Sequence, residues 1–313
     1  MLQLTLRVTI RTLVSAVSHE AREAQRRLPV LRPRPSKEET SFVVYRGPSA
    51  FDGEPIVAIV TGVTKPGRSG ASRNTKTGPM AQLYVLRADE APTVALKSGG
   101  DASVCGDCAL RPKKAGSGIH CYVNVAFGPT MTWKSNAEKA VALDACIGAM
   151  KRHEVHLRLG AYGDPAALPE RVVARLAGAS KGARGFTGYS HDWRNPRSAW
   201  LRKYAMASVE SKEDEHAAFA AGWRTFRILR AEGELLLDDE ILCPTSTHDV
   251  HCDDCRLCDG VRTNEAHQED RRKVVAIPVH GPQPRAVIRI QTDRKGAKAQ
   301  RSDPEDPEDP DAG

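Results

Sequence analysis

The segment Val155-His156-Leu157-Arg158-Leu159-Gly160-Ala161-Tyr162-Gly163-Asp164-Pro165 decides the fold. Its first residues alternate apolar and polar, the pattern of a strand, and the Gly-rich run that follows is a turn. Pro169 then stands near a first helical turn, with Val172, Val173 and Leu176 on one helical face. The same unit recurs downstream. Phe186 to His191 reads as a short strand and Pro196 to Lys203 as a helix. Tyr204 to Val209 is the next strand, and Ser211 with Asp214 caps a helix ending near Gly222. Arg224 to Leu229 is strand again; Ile241-Leu242 runs into Cys243-Pro244, and Val274 to Ile277 runs into Pro278-Val279-His280-Gly281. Strands and helices joined by short connections predict parallel β/α units.

Upstream, Phe42 to Tyr45, Ile56 to Val60 and Gln82 to Leu86 read as strands between Gly/Pro turns. Ser72 to Gly78 is a polar loop. Ser135 and Glu138 have capping-box spacing, and Ala140, Leu143, Ile147 and Met150 make a helical stripe after them. The expected class is therefore α/β: a partial (β/α) barrel of mostly parallel strands, with an N-terminal β-rich addition and disordered tails. Polar groups stand just after the strands, at Gly163-Asp164, His191-Asp192, Ser208 with Glu210, Cys243 and His280. In a parallel sheet these carboxyl ends share one rim, where ligands bind.

The chain has 313 residues and a formal net charge of +7. Residues 1 to 40 hold eight Arg or Lys against four Glu, so over half of the excess lies in a basic extension expected to be disordered and outside the fold. Residues 41 to 290 form the barrel-like domain. Residues 291 to 313 end in Pro304-Glu305-Asp306-Pro307-Glu308-Asp309-Pro310 and are too charged and Pro-rich to offset their ordering entropy. No run of eighteen apolar residues occurs, so no membrane partner is expected. With clustered cysteines and no cleavable signal pattern, the expected location is a reducing cytoplasm.

Seven of the eight cysteines fall into two groups at metal-ligand spacing. Cys105-Gly106-Asp107-Cys108 turns two sulfurs toward one point, and Cys121 returns after a twelve-residue loop. Cys243, Cys252, Cys255 and Cys258 place four thiols within sixteen residues. By count, these suit tetrahedral Zn(II) or a [4Fe–4S] cluster equally well, with His248 and His251 as spare ligands. The three-cysteine group is one ligand short of a structural zinc site unless His120 or a distant residue completes it. Cys146, in a helical pattern, reads as a small buried hydrophobe.

The elements Asn74-Thr75-Lys76-Thr77-Gly78, Cys105 to Cys108, Cys121-Tyr122-Val123-Asn124, Arg158 to Pro165 and Gly188-Tyr189-Ser190-His191 resemble an uncharacterised bacteriophage-encoded protein family. More broadly, they resemble the radical S-adenosylmethionine superfamily. The similarity covers about Ser72 to Gly281. It implies a [4Fe–4S] cluster on Cys105, Cys108 and Cys121, with S-adenosylmethionine on the open iron. Gly163, Asp164 and Pro165 would be the turn that holds its amino group, and Ser208 and Glu210 would face its nucleoside or methionyl part. The group from Cys243 to Cys258 would correspond to an auxiliary cluster near the barrel mouth. The chain departs from the superfamily in its long spacing between the second and third cysteines, and in Asp164 where Glu is usual.

His191 and Asp192, with Trp193 as an aromatic wall, have the chemistry of an acid/base pair, although Asp192 also suits a helix cap. His153, His156, His216 and His267 read as surface or strand histidines. Lys113-Lys114 and Lys181 to Arg184 read as solvated loops. Trp133, Trp193, Trp200 and Trp223 read as packing. The rival to an enzyme on an unidentified small or macromolecular substrate is a zinc-stabilised nucleic-acid-binding protein without catalysis, motivated by the basic balance.

Overall fold

A computed structural model describes residues 38–111, 121–182, 185–229, 236–262, 270, 272 and 274–278. The chain divides between Glu38 and Glu39, and everything below belongs to the second unit. His120, Lys113-Lys114, His267, His280 and both tails lie outside the described residues.

The strands are β1 (Ser41–Pro48), β2 (Pro55–Thr61), β3 (Ala81–Arg87), β4 (Leu157–Tyr162), β5 (Phe186–Ser190), β6 (Met206–Val209), β7 (Thr225–Leu229), β8 (Glu240–Leu242) and β9 (Val274–Pro278). They form one sheet in the order β1-β2-β3-β4-β5-β6-β7-β9-β8. β1, β2 and β3 pair antiparallel, with a short connection between the first two and the long loop 62–80 between the second and third; every later pair is parallel. The sheet is open, with β1 and β8 as its edges. From β3 to β7 the spatial order follows the chain, so each crossover advances the same way. Crossovers of one hand then lay their helices on one face.

Those helices are α1 (Pro92–Ser98), α2 (Ala102–Cys105), α3 (Gly128–Asn136), α4 (Leu143–His153), α5 (Glu170–Ala179) and α6 (Lys212–Ala220), followed by the short turns α7 (Pro244–Thr247) and α8 (Cys252–Cys255). Pro196–Lys203 is 3-10 rather than α-helical. Ser211 caps α6, its hydroxyl accepting from the Asp214 amide at 3.1 Å. The helix expected after Ser135 is broken. Ser135 ends α3, and α4 starts at Leu143 with no side-chain cap on Ala142. The cause lies elsewhere in the chain: Val141 bridges Val43, and the Ala142 amide donates to the Val43 carbonyl, so this connection is drawn out along β1.

Alternation along the strands gives the sheet two different faces. Leu83, Val85, Leu157, Leu159 and Val209 are fully buried and belong to the main core, which also holds Val173 and Leu176 of α5. Each such side chain contributes about 1.5–3 kcal/mol by leaving water. Cys146, on α4, is fully buried there, and burial pushes its thiol up to about 12. Trp193 and Trp223 are buried as expected. On the opposite face Gln82, Tyr84, Arg158, Thr187, Tyr189, Ser208 and Phe226 line a cavity. No described helix is long and apolar enough to cross a membrane.

Candidate functional site

Cys105 ends α2, and Gly106 turns the chain at φ 53°, a left-handed conformation open to Gly. The Cys108 amide then returns to the Cys105 carbonyl at 3.2 Å, so the two sulfurs leave one turn. Arg111 staples this loop: Nε and Nη2 donate to the Asp101 carboxylate at 2.9 and 3.0 Å, and Nη1 donates to the Gly106 carbonyl at 2.9 Å. Asp101 is buried, so this forked pair is desolvated and directional.

The loop is tied directly to the end of β4. The Asp164 amide donates to the Val104 carbonyl at 2.6 Å, one residue before Cys105. The Asp164 carboxylate accepts from the Ala166 amide, the Ser190 hydroxyl and the His191 amide at 2.9, 2.9 and 2.8 Å. Burial raises its pKa, and those donors partly oppose the rise. It therefore locks the ends of β4 and β5 against the cysteine loop. Gly163 makes this turn possible. It has φ 78°, and an added Cβ would lie 2.4 Å from the Val85 carbonyl oxygen. Gly163→Ala is expected to cost about 2–4 kcal/mol in urea unfolding, combining backbone strain with a clash against rigid strand. Gly53→Ala separates the two terms: with φ 80° and nothing within 4 Å, it should cost only about 1 kcal/mol.

His191 and Glu210 follow β5 and β6, with Nε2 and Oε1 3.9 Å apart. Burial alone would lower the imidazole pKa, but Cys108, Glu210 and Asp164 together carry it to about 9. The expected His191–Asp192 pair is not formed. Asp192 instead accepts from the Ser198 hydroxyl, and Asn195 caps the 3-10 helix. The strand end turns Asp192 toward that helix, while His191 faces the thiol.

The three upstream thiols share one electrostatic environment. Burial, then Cys108 and Cys121, hold the Cys105 thiol well above its ordinary range; burial and Cys108 help carry Cys121 to about 12. Cys108 and Tyr122 pack against Leu110 and Ile228, whose β7 side chain also lines the cavity. The group thus stands at the carboxyl edge, beside the cavity.

The downstream four also gather. Cys258 feels Cys243, Cys252 and Cys255, and burial raises its thiol first. All four line the cavity. Cys243 follows β8 at its carboxyl end, while the other three lie on a separate segment. The Cys252 amide donates to the Lys76 carbonyl before β3, the Gly188 amide donates to Cys258, and Arg224, just before β7, donates to the Leu257 carbonyl at 2.9 Å. This segment runs beneath the amino ends of the strands, opposite Asp164 and His191. His251 bonds the Thr75 carbonyl and His248 bonds Thr247, while buried His156 meets Asp253 at 2.8 Å.

Among the described residues, no three His, Cys, Asp or Glu side chains close into a preformed metal shell, and all eight cysteines are free thiols. Their donor chemistry nevertheless fits a cation. Buried thiols in each other's field resist ionising together, and a bound metal supplies the compensating positive charge.

Sequence reasoning missed the cavity wall. The signal was present: parallel strands covered on both faces read as continuous apolar runs, whereas β3 to β6 carry Gln82, Arg158, Thr187 and Ser208 at inward positions. The fold and site define an α/β protein with one cysteine group lining an open cavity and a second group beside it. No family model matches the chain, no curated protein matches it, and no solved structure matches it.

Proposed function

We propose that the chain is an iron–sulfur protein resembling radical S-adenosylmethionine enzymes, built on a partial (β/α) barrel. The observation that carries this reading is the electrostatic meeting of Cys105, Cys108 and Cys121 beside the Gly163-Asp164-Pro165 turn at the carboxyl edge. Three thiols leave one iron open for a further ligand. When bound, a [4Fe–4S] cluster there supplies an electron for reductive cleavage of S-adenosylmethionine and hydrogen abstraction from a substrate.

This chain's own residues do the positioning. Asp164 holds the strand ends in register, and Pro165 opens the 3-10 turn behind it. His191 stands beside Cys108 and Glu210, placed to donate a hydrogen bond to the sulfur. Glu210 is buried next to it, and Ser208 faces the cavity for a polar part of the ligand.

The group from Cys243 to Cys258 supports a different role. Four thiols along one cavity wall suit a closed, structural site, for which zinc is a direct alternative to an auxiliary cluster. Much of the basic excess behind a nucleic-acid partner belongs to residues 1 to 40, of which 1–37 lie outside the described residues.

Metal and sulfide analysis of anaerobically prepared protein tests the proposal. It expects iron and acid-labile sulfide in near-equal amounts with a brown chromophore. Colourless protein that carries zinc alone after reconstitution would eliminate it.

A further inference from the structure

The cavity between the two cysteine groups has a volume of about 490 Å³, within the range of small-molecule sites. Its charged lining residues are Lys76, Arg158 and Arg256, all cationic; among the described residues, no acidic side chain lines it. Arg158 is the second residue of β4, with Gln82 of β3 and Thr187 of β5 as its register partners. Both partners are neutral and cavity-facing. Its Nε is buried without a hydrogen-bond partner. Arg256, by contrast, is exposed and reaches His156.

A guanidinium placed in a sheet face without a carboxylate is unfavourable there unless something else meets it. Its fork matches a carboxylate or phosphate. Tyr84, Tyr122 and Tyr189 stand close enough for Arg158 to lower their pKa values against the effect of burial, so phenol rings and a fixed cation share one chamber. Rings beside an anion-binding fork suit a ligand with a flat body and a negative end.

We infer that the cavity is the binding site of a small organic anion, a carboxylate or phosphate ester with a planar body, whose charged end is held by Arg158. The inference stands apart from the metal reading, since the chamber and its unpaired cation are present whichever metal the thiols hold. Cys252 is the competing partner: Arg158 opposes the burial-driven rise of its thiol. In that alternative the arginine only balances the cysteine group.

Calorimetric titration of the full chain with matched probe pairs separates the two. Benzoate against benzamide tests the carboxylate, and adenosine 5′-monophosphate against adenosine tests the phosphate ester. At least one anion is expected to bind ten or more times tighter than its neutral mate. Arg158→Met should abolish that preference and Arg158→Lys should keep part of it, with metal content unchanged in both. The inference is overturned if neither pair shows a preference, if the preference survives in Arg158→Met, or if that variant loses metal from the downstream group. A positive result in iron-free protein would leave the inference intact while removing the proposed function.

Discussion

Replacing Arg227 by Met is expected to cost about 3–5 kcal/mol of folding stability. Arg227 is 1% exposed in β7, and its Nε and Nη2 each donate to the Glu240 carboxylate at 2.6 Å. Glu215 of α6, 0% exposed, accepts from Thr225 and lies 3.5 Å from the same Nε. Methionine fills similar space but leaves two buried acids without their cation. The same cluster gives the protein a pH signature. Burial first, then Glu240, raises the Glu215 pKa to about 7 from its ordinary 4.5. The folded chain thus holds a proton that the unfolded chain has released. The stability from this group is complete below about pH 4.5 and is lost as pH rises through 7. Glu215→Gln should flatten that slope and stabilise the protein by on the order of 2 kcal/mol at pH 8. Urea unfolding at pH 5, 6, 7 and 8 reads both effects; an Arg227→Met variant within 1 kcal/mol of the parent would refute the charge cluster's role.

Asp259→Ala is expected to cost a further 3–5 kcal/mol or so by the same physics. Asp259 is fully buried next to Cys258 and binds three arginines: Arg224 at 3.1 Å, Arg262 at 3.0 Å and Arg272. Arg224, 2% exposed, also reaches the Leu257 carbonyl, so this carboxylate pins the downstream cysteine segment under the sheet. Removing it leaves a buried guanidinium near Arg272, a like charge that already opposes it. Limited proteolysis should show faster cleavage around residues 252–262. Asp259→Asn keeps the shape and tests charge alone; parental stability and cleavage rates in both variants would contradict the assignment.

The parts of this structure that could be read from sequence are those fixed locally. Alternation and turn chemistry located β4 to β7, and Ser211 was visible as a cap because its bond spans three residues. The Gly163-Asp164-Pro165 turn was legible because its glycine and acid are adjacent. What escaped depends on contacts distant in sequence. Val43 draws Val141 out of a helical pattern that looks continuous. β9 inserts between β7 and β8, an order that local pattern does not encode. Cys243 follows β8 as its sequence implies, whereas bonds to Lys76, Gly188 and Arg224 set Cys252 to Cys258 toward the amino ends of their neighbouring strands. The buried cluster of Arg227, Glu240 and Glu215 joins β7, β8 and α6, a contact that no local sequence pattern encodes.

The cluster proposed on Cys105, Cys108 and Cys121 would keep one coordination position free. Electron paramagnetic resonance of the anaerobically reconstituted, reduced protein, before and after addition of S-adenosylmethionine, tests it most directly. The expected result is a reduced-cluster signal whose g values shift on addition, and loss of that shifting signal when the three cysteines are replaced by alanine. A signal unaffected by the additive, or one that persists undiminished without these cysteines, would contradict it.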